Sequence, residues 1–169
     1  MAFFLYFYCN IYYNSIGDEM KILVDADACP VKEIILGVAK KYMLELIMLF
    51  DTSHEYFDGY SKVVICDKGN DSVDYKLLSL ANKGDLIITQ DYGLSALGLS
   101  KKAYILHING FIIDEKNIDS LLNNRYLGVK SRRANKHIKG PKKRTNDDNL
   151  RFKDALITII NKIGEIKNE

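Results

Sequence analysis

The residues of this chain best suited to chemistry are aspartates. Asp25 and Asp27 stand one residue apart where the apolar run Ile22-Leu23-Val24 ends. Asp71 and Asp74 follow a second β-like run, and a spacing of three puts both on one face of a helical turn. Asp91 closes a third run, Leu86-Ile87-Ile88-Thr89-Gln90-Asp91. Strands buried on both faces read as continuous apolar runs, and an open α/β sheet binds its ligands at their carboxyl ends. Carboxylates gathered there repel one another and raise each other's pKa. A hard cation removes that penalty, and an oxygen-only donor set favours Mg2+ or Mn2+ over zinc. Such a cation can bind a phosphate oxygen and lower the pKa of water, which suits phosphodiester hydrolysis. The expected metal ligands are Asp25, Asp27, Asp74 and Asp91, with Asp25 and Asp91 foremost, and Asp71 joins them in the catalytic set.

These positions require strands and helices in alternation. Lys21 to Val24 reads as the first strand, followed by a helix over Val31 to Met43 with Pro30 suited to its first turn. Strands are expected over Glu45 to Phe50 and Lys62 to Cys66. Next come a helix over Ser72 to Asn82, a strand over Asp85 to Thr89, a helix over Leu94 to Leu99 and a strand over Ala103 to Leu106. The character changes after Asn109-Gly110. Ile118, Leu121, Leu122 and Tyr126 form a helical stripe behind an Asn117 cap. Asp147 to Ile166 returns to helix, with Leu150, Phe152, Leu156, Ile157, Ile160 and Ile163 as its apolar positions. This order predicts an α/β fold, a single domain over residues 20–166 with a mainly parallel central sheet flanked by helices.

Composition agrees with one globular domain: 169 residues, 47% hydrophobic and 27% charged, with a formal charge of +2. That small net charge hides an asymmetry, because the acids lead and the bases follow. Lys130, Arg132, Arg133, Lys136, Lys139, Lys142, Lys143 and Arg144 crowd a segment read as a basic loop over residues 130–145, around Gly140-Pro141. It lacks interleaved aromatics, so it suits attraction to a phosphate backbone rather than reading of bases. Arg132, Arg133, Lys139, Lys142, Lys143 and Arg144 are the expected substrate-binding residues. A solvated loop partly balanced by Asp147 and Asp148 is the plainer alternative.

Three cysteines, Cys9, Cys29 and Cys66, offer no CxxC pair, which argues against a disulfide framework and points to a reducing, cytoplasmic setting. Cys29 at a helix start could favour a thiolate, but a phosphatase loop would need arginine where Ile35 stands, so packing is its expected role. His54, His107 and His137 show no ligand spacing. Asp85, after Gly84, reads as structural. Residues 1–19 are aromatic and apolar without a basic leader or a cleavage site, and too short to span a membrane. They read as an extension outside the core, with Met20 as the natural start and no membrane partner expected.

The motifs Asp25-Ala26-Asp27-Ala28-Cys29-Pro30, Gly69-x-Asp71-x-x-Asp74 and Gly84-Asp85-Leu86-Ile87-Ile88-Thr89-x-Asp91 resemble the YaiI/YqxD family of bacterial proteins. Asn117-Ile118, Arg132-Arg133, Gly140-Pro141 and Asp148-x-x-Arg151-Phe152 extend the likeness to about Ile160. That family is grouped by similarity with PIN-like nuclease folds. The resemblance therefore implies a PIN-like domain whose aspartates at the sheet's carboxyl edge bind Mg2+ or Mn2+ and cleave nucleic acid, RNA rather than DNA. Carried over position by position, it implicates Asp25, Asp27, Asp71, Asp74 and Asp91. Tyr92-Gly93 departs from the apolar-proline pair more usual after the last of these.

Two other chemistries compete. Asp25-x-Asp27 after an apolar strand also looks like the first motif of haloacid-dehalogenase-like phosphatases, where the first Asp is nucleophile and the second a general acid. That fold needs a further acidic pair on a strand end, and Gln90-Asp91 offers one acid. The other is a module that binds nucleic acid without cutting it.

Overall fold

In the computed structural model, residues 20–51, 56–67, 69, 71–133 and 142–167 are described. Their sheet has six strands: β1 (Lys21–Asp25), β2 (Glu45–Asp51), β3 (Lys62–Cys66), β4 (Leu86–Thr89), β5 (Tyr104–His107) and β6 (Ile112–Ile113). The order is β3-β2-β1-β4-β5-β6, parallel except for β6, which runs antiparallel to β5. Five helices accompany them: α1 (Lys32–Tyr42), α2 (Ser72–Leu80), α3 (Tyr92–Ser100), α4 (Ile118–Arg133) and α5 (Asn146–Lys167). No helix among the described residues is long and apolar enough to cross a membrane.

Alternation along the strands divides the core in two. Ile22, Val24, Leu46, Met48, Phe50, Leu86 and Ile88 face α1 and α5, where Phe152, Leu156, Ile160 and Ile163 meet them. Leu23, Ile47, Leu49, Ile87 and Ile105 face the other way, against Leu77 of α2, Leu94 of α3 and Ile118 of α4. The central strand shows why its sequence is apolar throughout: Ile22, Leu23 and Val24 are wholly buried, each gaining about 1.5–3 kcal/mol relative to exposure. The same alternation turns Asp25 and Thr89 toward the α2–α4 face.

Strand order carries the functional consequence. The chain steps outward from β1 through β2 to β3, returns by α2 to the other flank of β1, and steps outward again through β4 and β5. The direction of winding thus reverses between β1 and β4, which is where an open α/β sheet leaves a crevice beyond its strand ends.

Several expectations need correction. The basic segment is not a loop at its start, because α4 continues through Lys130 to Arg133. Lysine and arginine are good helix formers, and no glycine or proline intervenes between Gly128 and Gly140. Pro30 lies in a turn ahead of α1, which begins at Lys32. The Asn117 carboxamide does not cap α4. Its Oδ1 accepts from Asp114 N–H at 3.1 Å and its Nδ2 donates to Ile112 O at 2.9 Å, tying the helix start to β6. Tyr126 and Leu150 stand exposed, although the apolar stripes place both inward. The short β6 follows a turn at Gly110, whose φ of +82° and backbone contact with Phe152 exclude a side chain. Residues 1–19, His54 and His137, and Lys136, Lys139 and Gly140-Pro141 of the basic segment, lie outside the described residues.

Candidate active site

Three elements deliver carboxylates to the crevice. Asp25 ends β1, where the ladder to β4 stops. Its Oδ2 accepts the hydroxyl of the fully buried Thr89 at 3.0 Å, and the Thr89 oxygen in turn accepts Asp91 N–H at 3.0 Å. One threonine therefore fixes both acids that flank the reversal point.

Asp91 starts α3. Its Oδ1 accepts the N–H groups of Gly93 at 2.6 Å and Leu94 at 3.1 Å, closing the helix end. This explains why α3 begins at Tyr92 rather than Leu94. Gly93 supplies at this position a backbone donor that a proline would lack. The other oxygen, Oδ2, accepts from Arg125 Nη1 of α4 at 2.7 Å. Burial works against the Asp91 charge, but Arg125 and the two N–H groups outweigh it and hold the carboxyl below the usual range.

Asp71 and Asp74 come from the start of α2. Asp71 occupies the N-cap position at φ +68° without a side-chain capping bond. Cap residues normally keep an extended backbone, and a left-handed one strains a residue with a Cβ by about 1 kcal/mol. Asp74 makes no hydrogen bond to the described residues. Burial first, then the charges of Asp25, Asp91 and Asp71, push its pKa up to about 6. Asp25 is raised as well, by burial and by Asp27 and Asp91, against the lowering effect of Thr89. Asp25, Asp74 and Asp91 thus lie within electrostatic reach of one another, with Asp71 beside Asp74 and Asp27 beside Asp25.

Asp27 is committed differently. Both its oxygens accept Asp51 N–H, at 3.2 and 3.0 Å, and bind the loop after β1 to the end of β2. Lys32 secures the same loop through Ala26 O and Cys29 O, both at 3.0 Å. Cys29 packs beneath it, free and buried, its thiol raised by burial.

The donor set suits a hard divalent cation: oxygen-only, crowded, with Asp74 short of hydrogen-bond donors. The side chains are not closed around one point, since among the described residues no group of three His, Cys, Asp or Glu is drawn tightly enough to hold a metal ion. Mg2+ tolerates this arrangement because it keeps several waters and is usually held by one or two carboxylates together with substrate phosphate. Beside the acids, between α2, α3 and α4, opens a cleft of about 460 Å³ lined by Asp71, Asp74, Tyr75, Leu78, Asp91 and Leu122.

The expected substrate-binding bases divide. Arg144 donates to Asn149 Oδ1 at 2.7 Å, Asn109 Oδ1 at 3.3 Å and Asp148 O at 3.3 Å, so its guanidinium latches the start of α5 to the loop after β5. Its charge, after burial, helps lower buried His107 to about 4, where that ring stacks on Tyr92 and Phe111. Lys142 and Lys143 are exposed. Arg132 and Arg133 occupy the last positions of α4, and their side chains, like Lys139 altogether, fall outside the described residues. Arg125 is the residue that sequence reasoning missed. The signal was present, since position 125 continues the Ile118, Leu121, Leu122 stripe by a further three residues and carries a charge where an apolar residue would fit the pattern.

Comparison with known proteins agrees with these motifs. The sequence model of the uncharacterised YaiI/YqxD family matches residues 23–162. A UPF0178 protein of Ruminiclostridium cellulolyticum is 51% identical over 141 residues, covering 83% of this chain and 92% of that protein. One from Natranaerobius thermophilus is 48% identical over 142 residues, covering 83% and 96%. One from Oceanobacillus iheyensis is 42% identical over 146 residues, covering 85% and 100%. No solved structure gives a significant match. With most of its length matched, including the strand ends that carry Asp25 and Asp91, the chain belongs to the YaiI/YqxD family.

Proposed function

We propose that this protein is a Mg2+- or Mn2+-dependent nuclease of PIN-like type, hydrolysing phosphodiesters of RNA in preference to DNA. The observation that carries the reading is the meeting of Asp25, Asp74 and Asp91, from three separate elements, at the point where strand order reverses between β1 and β4. Asp74 supports the reading too: it is half-buried among like charges, and burial and then those charges push its carboxyl up to about 6, beyond what a place in the first turn of α2 requires.

Asp25, Asp74 and Asp91 would hold the cation, which when bound supplies positive charge to a phosphodiester and acidifies water. Thr89 fixes the direction of Asp25 and Asp91. Asp71 adds negative charge at the rim of the cleft, and Asp27 and Lys32 keep the Asp25 loop rigid. The cations beyond the acids, Lys142 and Lys143 among them, attract the polyanion. The free, buried Cys29 and Cys66 support a reducing compartment, the cytoplasm. The phosphatase alternative needs the Asp27 carboxyl free to reach a leaving group, whereas both its oxygens are turned to Asp51 N–H.

A cleavage assay on single-stranded RNA, single- and double-stranded DNA and p-nitrophenyl phosphate, with and without Mn2+, tests the reading. RNA cleavage that needs Mn2+ and disappears in folded Asp25→Asn protein is the expected result. Cleavage that survives this change places the site elsewhere. Hydrolysis of the monoester alone favours the phosphatase, and RNA binding without cleavage at any Mn2+ concentration favours the non-catalytic module.

A further inference from the structure

Asp91 has two oxygens and two different obligations. Oδ1 closes the start of α3 through Gly93 and Leu94, while Oδ2 accepts from Arg125 Nη1 at 2.7 Å. A cation held by Asp25, Asp74 and Asp91 must approach Asp91 through Oδ2, because taking Oδ1 would uncap the helix. Arg125 and that cation therefore contend for the same oxygen. The contest is open to exchange, since the Arg125 and Asp91 side chains are 50% and 33% exposed and water can replace either partner. Leu122, one turn earlier on α4, lines the cleft beside the acids, so a displaced guanidinium remains at the cleft mouth. Its planar fork of donors matches the oxygens of a phosphate.

We propose that Arg125 is an exchangeable counter-ion: it holds Asp91 Oδ2 before a divalent cation arrives, competes with that cation, and once displaced takes a phosphate of the nucleic-acid substrate. This inference rests on the metal-dependent reading above and assigns Arg125 a substrate-positioning role within it.

The test begins with Mn2+ binding to the full chain, followed through the paramagnetic resonance signal of free Mn2+ at fixed ionic strength. Arg125→Ala should tighten Mn2+ binding about threefold, the scale of an exposed ion pair, and this gain should vanish in Asp91→Asn protein, where Asn still caps α3. A gain of equal size in the Asp91→Asn background would be a general field effect and would overturn the exchange. Unchanged or weaker Mn2+ binding in Arg125→Ala would overturn it too, leaving the metal-dependent reading intact. A parent chain that binds no Mn2+ overturns both. At saturating Mn2+, Arg125→Ala should raise KM for a single-stranded oligoribonucleotide about tenfold with little change in kcat, and Arg125→Lys should restore part of it. An unchanged KM removes the phosphate-holding role.

Discussion

Thr89 donates its hydroxyl to Asp25 across the step from β4 to β1, at 3.0 Å, where the direction of winding through the sheet reverses. Because the same oxygen accepts Asp91 N–H, a fully buried side chain joins two acids that sequence separates by more than sixty positions. Thr89→Val keeps the shape and removes both bonds. Leaving the Asp91 N–H without its acceptor should cost about 1–3 kcal/mol, read as a lower urea midpoint. Asp25, having lost a bond that lowers its pKa, should titrate higher by carboxyl NMR. Thr89→Ser should behave close to the parent. A valine variant as stable as the parent would show that the bridge contributes nothing.

The pKa of Asp74 sets a pH dependence whose sign can be worked out. Its folded value, about 6, lies above the roughly 4 of an unfolded aspartate. Below about pH 4 both states hold the proton. Between about 4 and 6 the unfolded chain releases it while the folded chain retains it, so stability falls as pH rises through this window and levels off above it. Asp74→Asn removes the penalty. The variant's advantage over the parent should grow from about pH 4 to pH 6 and then stay constant, measured by chemical denaturation at several pH values. A difference that does not change with pH would sink the assignment.

What the sequence revealed and what it concealed follow from how local each signal is. Asp25 and Asp91 were legible because buried strands are apolar runs, and an acid at the end of one is a local break in the pattern. The acids at the start of α2 were legible by spacing. Arg125 was not, because the eye follows the stripe to Tyr126, which stands in solvent, and passes over the arginine that points to the sheet edge. Strand order depends on where crossovers land, a property of tertiary packing, so the reversal between β1 and β4 could not be read from any one segment. The two-residue β6 is too short to show a period, and the charge of Lys130 to Arg133 concealed a helix that lysine and arginine readily form.

Asp85 separates structural from functional acids. It precedes β4 at the amino edge of the sheet, opposite the crevice, and is 3% exposed. Its oxygens accept from Lys21 N–H at 3.2 Å and Asn82 N–H at 2.6 Å, and its Oδ2 forms an ion pair with Lys21 Nζ at 3.2 Å. Asp85→Ala strands these donors and should cost about 3 kcal/mol, seen as a lower melting temperature. Mn2+ affinity per folded molecule should stay at the parent's value. A loss of Mn2+ affinity in folded Asp85→Ala protein would mean that the two edges are coupled, against the geometry.

Asp25 and Asp27, two positions apart, should respond to the same substitution in opposite ways. Asp25 is held up in pKa by burial and by the charges of Asp27 and Asp91, so Asp25→Asn relieves repulsion while its remaining carbonyl oxygen can still accept from Thr89. Folding stability near neutral pH should be unchanged or higher by roughly 1 kcal/mol, the usual sign when a functional charge is removed. Asp27 turns both oxygens to Asp51 N–H, and Asp27→Asn replaces a charge-assisted bond by a neutral one. That should cost about 1 kcal/mol. Urea denaturation of the two variants side by side decides the matter. If Asp25→Asn is the more damaging of the pair, Asp25 holds the fold together and the crowded acids at the strand ends have a structural explanation. If it is neutral or stabilising while Mn2+ binding is lost, its charge is kept at a cost to stability, and the cost is repaid only by what the charge binds.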